Sequence, residues 1–332
     1  GALPGQKSGE YLLEERPLAV IPTPQLLPDL LDDLRTPGAP RSLLLAGDID
    51  YAGDAGAPGA SADLPADSRA PGRLQEGKLL SFDRLEAAQA ELASIERRYL
   101  KKVREGKSDT LEGAAATEEA FREQAGQHEW LHLITHGFFA PETIGSALRA
   151  AGDKSSTSET MKIAGVALPT VPAAKPVSVH PGLLSGLAFA GANSTPEEGN
   201  DDGILTALEV SALDLSQVDT VVLSACETGL GEVAGGEGLL GLQRAFQVAG
   251  AKTVVASLWK VPDRATSTLM QRFYENLWDK KMGKLAALRE AQIWMMRDKG
   301  NRGLALGDDA PDPNAPLPPF FWAAFVLSGD WR

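Results

Sequence analysis

The chain holds a single cysteine, Cys226, among 332 residues. One thiol excludes an internal disulfide framework, so nothing argues for an oxidising compartment and the expected location is cytoplasmic. Basic residues are also in short supply, with 32 Lys and Arg against 45 Asp and Glu and a formal net charge of −13. Such a surface repels phosphate backbones and anionic lipid, which removes nucleic acid and membranes from the expected partners. No apolar run approaches the roughly 20 residues that span a bilayer. The opening "GALPGQKSGEYLLEERP" lacks the basic start and apolar centre of a signal peptide. It lacks an initiator methionine too, and is expected to be the C-terminal part of a longer chain.

What is present is a regular rhythm. "SLLLAGD" (42–48), "WLHLITH" (130–136), "VDTVVLS" (218–224), "KTVVASLW" (252–259) and "FFWAAFVL" (320–327) are short apolar runs rich in β-branched or aromatic residues, and each predicts a strand. Between them lie helical stretches. One runs roughly over 82–105. "GLLGLQRAFQVAG" carries Leu239, Leu242 and Phe246 on one stripe and stops at Gly250. "DRATSTLMQRFYENLW" repeats the pattern with Leu269, Phe273 and Leu277, and "GKLAALREAQIWMMRD" follows. Strands alternating with helices predict an α/β fold with a mostly parallel sheet covered on both faces. Gly-, Ala-, Ser- and Pro-rich segments at about 51–75 and 151–178 are expected to be surface insertions in one domain spanning 1–332.

In such a sheet, functional groups gather at the carboxyl ends of the strands. One strand delivers His136 and then Gly137; another delivers Cys226. If the two strands are parallel neighbours, an imidazole and a thiol emerge on one edge. The thiolate is the nucleophile, and a free cysteine at neutral pH is only a few per cent thiolate. An imidazole that takes the proton contributes about 10²–10⁴ in rate. Gly137, having no side chain, lets a carbonyl approach its N–H, and the N–H groups of Gly137 and Cys226 are candidates for an oxyanion hole. His128, His132 and His136 are spaced at four with no thiolate nearby, so no metal is expected and His128 and His132 are expected to be structural. His180, in "VSVHPG", shows no partner. No cofactor is expected.

"LHLITHGFF" (131–139), "LSGLAFAGAN" (184–193), the run from "DDGILTALEV" through "VVLSACETGLGEVAGGEG" to "RFYENLW" (201–278), and "FFWAAFVLSGDW" (320–331) together resemble the CHAT-domain family, a caspase-like, separase-related group of clan CD cysteine peptidases. The resemblance implies a caspase-like three-layer sandwich and a catalytic dyad of His136 and Cys226, with Gly137 at the oxyanion. It implies peptide-bond hydrolysis without metal or cofactor, acting on a protein substrate. It further implies regulation by an upstream sensor or repeat module or by an activator, in bacterial defence or signalling. Relatives directed to arginine or lysine use an acidic residue at the bottom of the pocket. Asp263 is placed for that role with Trp259 as a wall, and Asp201 and Asp202 are rival acids. The other role open to Asp263 is that of a helix N-cap.

Two other readings stay open. "GLGEVA" (229–234) matches a dinucleotide-binding fingerprint, but Glu227, Glu232 and Glu237 would face the pyrophosphate with like charge. A caspase-like fold could also serve as a catalytically silent docking platform.

Overall fold

The computed structural model describes residues 2–7, 9–21, 27–32, 40–52, 74–75, 78–79, 81–139, 183, 185–194, 201–224, 226–227, 237–305 and 316–332. The chain builds strand β1 (Ser42–Ile49) and a two-residue hairpin, β2 (Leu74–Gln75) with β3 (Lys78–Leu79). After the helix Ala88–Lys102 come β4 (Lys107–Gly113), the helix Glu118–Ala125, β5 (Trp130–Leu133) and β6 (His136–Phe139). Next are β7 (Ser185–Ala188), β8 (Ile204–Thr206), β9 (Thr220–Leu223) and β10 (Cys226–Glu227). The helix Glu237–Val248 leads to β11 (Thr253–Ser257), and the helices Asp263–Tyr274 and Lys284–Arg297 lead to β12 (Phe325–Gly329).

Six strands make the main sheet in the order β12-β11-β9-β5-β1-β4. Every neighbouring pair is parallel except β11 with β12. The apolar runs explain this: a parallel strand is covered on both sides, and its residues alternate between two cores. Leu43, Leu45, Val222 and Val255 pack with Leu92, Ile95, Leu269, Phe273 and Ala291 from the helices on one face. Leu44, Ala46, Val221, Leu223 and Val254 pack with Phe121, Leu242 and Phe246 on the other. Each fully buried Leu, Val or Phe stabilises by about 1.5–3 kcal/mol, so the two cores together fix a helix–sheet–helix sandwich. Gly250 ends its helix as expected: its φ is +119°, and a Cβ there would meet the Ser216 nitrogen at 2.7 Å.

A second sheet, in the order β10-β6-β7-β8, forms beyond the carboxyl edge of the first. Here the expected strands need correction. The run 130–136 is two strands, not one. The Ile134 N–H still bonds to the Ala46 carbonyl (2.7 Å), but at Thr135 the chain leaves the main sheet. The Thr135 hydroxyl, bonded to the Ala188 carbonyl and 3.2 Å from the Tyr51 hydroxyl, holds that step. The same break separates β9 from Cys226. The last expected strand, 320–327, begins instead as a helical turn, Pro319–Trp322, because the prolines at 318 and 319 set helical entry. Only from Phe325 does the chain pair with β11. Its outer edge is met by Val20, whose N–H bonds to the Leu327 carbonyl at 2.8 Å.

Two histidines are absorbed by the scaffold. His128 lies 2.8 Å from Asp109 Oδ2 and 2.9 Å from the Gln124 carbonyl. His132, fully buried, sits between the Tyr274 hydroxyl (2.9 Å) and Glu91 Oε1 (3.0 Å). Among the described residues no cluster of three or more His, Cys, Asp or Glu suits a metal ion, and no helix is long and apolar enough to cross a membrane.

Candidate active site

β10 pairs with β6 in parallel, and the register sets Cys226 against His136 and Glu227 against Gly137. Parallel neighbours lie roughly 4.8 Å apart. The main chains of the two candidate residues are therefore adjacent, although 226 − 136 = 90 positions separate them in sequence. Gly137 also pairs with Leu187 of β7, so it is a strand residue laddered on both sides.

His136 is 5% exposed. Its ring packs against Tyr51 and Phe82, with centroids 5.2 and 5.6 Å away. Its Nε2 lies 2.6 Å from the Asp83 carbonyl oxygen. A carbonyl only accepts, so Nε2 must carry the proton and donate. The neutral ring then has its lone pair on Nδ1, which is buried and has no hydrogen-bond partner among the described residues. Burial lowers the ring's pKa; the Asp83 carbonyl and the charges of Asp263 and Asp83 oppose that shift, and Lys260 adds to it. Burial likewise pushes the Tyr51 hydroxyl up to about 12, so Tyr51 stays neutral beside the ring. A buried, neutral, oriented imidazole with one unused nitrogen is a base held ready for a proton.

The ring opens onto a cleft of about 440 Å³ whose walls include Asp83, Glu86, Lys260, Asp263 and Arg264. Asp263 is the first residue of its helix; Pro262 occupies the N-cap position, so the acid is not itself the cap. Burial raises the Asp263 carboxyl's pKa, while His136 and Lys260 pull it down.

The remaining specificity candidates lie elsewhere. Trp259 donates from its indole N–H to the Phe320 carbonyl (2.9 Å), packs on the second core and is not among the described residues lining this cleft. Asp201 holds Arg122 Nη2 with both oxygens, at 2.7 and 2.8 Å. Asp202 accepts from the Ile204 N–H at 3.0 Å. Neither lines the cleft. His180 and "GLGEVA" (229–234) fall outside the described residues, as do 53–73 and 151–178 of the expected insertions.

The acids around Arg122 carry a prediction of their own. Glu118, 2% exposed, reaches Arg122 at 3.0 Å, yet its pKa is raised well above the ordinary range, by burial first and then by Glu209 and Asp201. A group whose folded pKa is raised contributes stability below its unfolded pKa, near 4.5, and loses it as pH rises. Glu118→Gln is therefore expected to raise the melting temperature at pH 7 by about 2–4 °C per kcal/mol gained. At pH 4 the gain should disappear. Equal gains at both pH values in thermal melts would remove the explanation.

Several residues that shape the site carry no local signal. The Asp83 contribution is a main-chain carbonyl, which no side chain announces. Tyr51, Phe82 and Asn193 converge only in space.

A mostly parallel, six-stranded sheet flanked by helices is an α/β fold of the caspase-like class. The chain belongs to the CHAT-domain family of caspase-like peptidases: the family model described as "CHAT domain" matches residues 1–330. Among curated proteins the chain is similar to tetratricopeptide repeat protein 28. It is 42% identical to the mouse protein over 74 residues, which is 22% of this chain and 3% of the relative. It is 33% identical to the human protein over 126 residues, 38% of this chain and 4% of the relative. The matched part is thus a small fraction of each relative's length.

Proposed function

We propose that the chain is a cysteine endopeptidase domain acting through Cys226 and His136. The observation that carries this reading is the parallel register of positions 136 and 226, next to an imidazole whose Nδ1 alone is left to act. The Cys226 thiol gives its proton to His136 Nδ1, and the sulfur attacks the scissile carbonyl. The oxyanion falls to the main-chain N–H of Cys226 and to that of Gly137, once the substrate carbonyl takes the place of its strand neighbour. His136 returns the proton to the departing amine, leaving a thioester on Cys226. Water, deprotonated by the same ring, then releases the acid.

The substrate we infer is a protein cut after a basic residue. Asp263 shares the His136 cleft and is the acid best placed to meet a cation there. Asp83 and Glu86 line the same walls and are offset by Arg84, Lys260 and Arg264, so the preference is assigned to Asp263, whose charge acts on His136 more strongly than that of Asp83. A charge-assisted hydrogen bond stabilises by about 1.5–3 kcal/mol, roughly 10- to 100-fold. Asp263→Asn is expected to lower kcat/KM on peptides with Arg or Lys before the scissile bond by that factor and to leave peptides with Ala there unchanged. A fluorogenic panel hydrolysed fastest after Asp would end this assignment.

We further infer control by an upstream repeat or sensor module or by an activator, in signalling or bacterial defence. The similarity to proteins named for tetratricopeptide repeats supports a repeat module. A lone thiol suits the reducing cytoplasm. The rival reading, a silent docking platform, predicts that Cys226→Ala behaves like the parent in every assay. The deciding measurement compares new protein N-termini produced by the parent chain and by Cys226→Ala. Identical sets would favour the platform.

A further inference from the structure

We propose that Asn193 is a positioning residue for His136, acting through the segment 81–85. This rests on the peptidase reading and adds to it the residue that sets the orientation of the base. Residues 81–85 have no regular secondary structure, so no strand ladder holds them. Yet this segment supplies the Asp83 carbonyl, the sole described partner of the His136 ring nitrogens. Something must fix that carbonyl to within a few tenths of an ångström, or Nε2 would lose its acceptor and the ring its orientation.

The side-chain amide of Asn193 does this in the manner of a neighbouring strand. The Phe82 N–H donates to Asn193 Oδ1 at 2.8 Å, and Asn193 Nδ2 donates to the Phe82 carbonyl at 2.9 Å. Both main-chain groups of Phe82 are thus tied to one side chain, one residue before Asp83. The pattern needs one acceptor and one donor side by side, which among side chains of this length only an amide supplies. Asn193 is itself anchored: its N–H bonds to the Tyr51 carbonyl at 2.8 Å, and the Gly191 N–H bonds to the Asp50 carbonyl at 3.2 Å. The Phe82 ring, 3% exposed, then packs on Tyr51, His136 and Phe138. Beyond the amide, among the described residues, the Leu85 carbonyl accepts from the Ala88 N–H at 3.1 Å, two residues past Asp83, and the Arg84 guanidinium meets Asp48 with two contacts of 2.8 Å. Arg84 is 70% exposed, so that pair is screened by solvent and contributes little. The amide clamp dominates.

The test uses the fact that Cys226 is the only cysteine, so alkylation of the intact chain by iodoacetamide reports one thiol. Assisted by a neutral His136, the thiol is expected to react with a pH midpoint below the ordinary value of about 8.5. His136→Ala should return the midpoint to about 8.5. Asn193→Ala should move it part of the way and slow the reaction at pH 7 about 10- to 100-fold. Asn193→Asp keeps the acceptor for Phe82 N–H and loses the donor, so it should fall between Asn193→Ala and the parent. Gln292→Ala controls for destabilisation; this buried amide bonds the Trp322 and Phe325 carbonyls (both 3.0 Å) away from the cleft and should leave the midpoint in place. If Asn193→Ala does not fold, Asn193→Asp and Asn193→Ser carry the same comparison. A parental midpoint in every folded Asn193 variant, or equal shifts in Gln292→Ala, overturns the positioning role and leaves the dyad standing. A parental midpoint in His136→Ala overturns the dyad itself, and this inference with it.

Discussion

Peptide hydrolysis by His136→Ala is expected to fall by a factor on the order of 10³, with KM nearly unchanged, and by Cys226→Ala to background. The first loss is large because no other described group can take over: the ring's Nε2 is committed to the Asp83 carbonyl, and Nδ1 alone is left to exchange protons. An effect on kcat with KM preserved is the signature of a group that acts in the transition state. The pH dependence follows from the same environment. Burial holds the ring's pKa below its ordinary 6.5, and the working form is neutral, so the acidic limb of kcat/KM should lie below pH 6.5. Stability carries the matching sign. The unfolded chain takes up this proton below about pH 6.5 and the folded ring resists it, so this group's contribution is present above pH 6.5 and lost as pH falls. Steady-state profiles of the parent enzyme check the limb; a limb at pH 7.5 would contradict the burial argument.

His132→Ala should do the reverse, costing about 3 kcal/mol of stability and leaving the chemistry in place. His132 stands four residues before His136 but faces the other core, between Glu91, 1% exposed, and Tyr274, fully buried. Burial, and then the charge of Glu91, keep the Tyr274 hydroxyl proton well above its ordinary range, so the phenol remains a donor. Removing the imidazole strands a carboxyl group and a hydroxyl in an interior built from Leu92, Leu269 and Phe273. Urea denaturation should show a lower midpoint at unchanged slope. Activity of the folded fraction should stay within about twofold of the parent. An unchanged midpoint would mean that the Glu91–His132–Tyr274 chain contributes nothing to folding.

These two histidines also show where the sequence could be read and where it could not. The apolar runs 42–48, 218–224 and 252–259 became β1, β9 and β11, because a strand buried on both faces has to be apolar throughout and says so locally. The step at Thr135 did not show. "WLHLITH" is uniformly strand-like, and the break depends on a hydroxyl meeting Ala188, 53 residues later. The same holds for the acids. Asp263, Asp201 and Asp202 look alike as letters, yet one lines the cleft and another is spent on Arg122.

Local chemistry was therefore enough to name the fold class and the two residues proposed for catalysis, since strand ends and a lone thiol are properties of short segments, and the family followed from the resemblance of its motifs. Tertiary structure alone decided which histidine sits in register with Cys226, which carbonyl sets its tautomer and which of Asp263, Asp201 and Asp202 lines the cleft. Those outcomes depend on hydrogen bonds between groups 53 to 111 positions apart, such as Thr135 with Ala188 and Phe82 with Asn193. A bond of that reach exists only once two cores have packed and brought its partners within 3 Å.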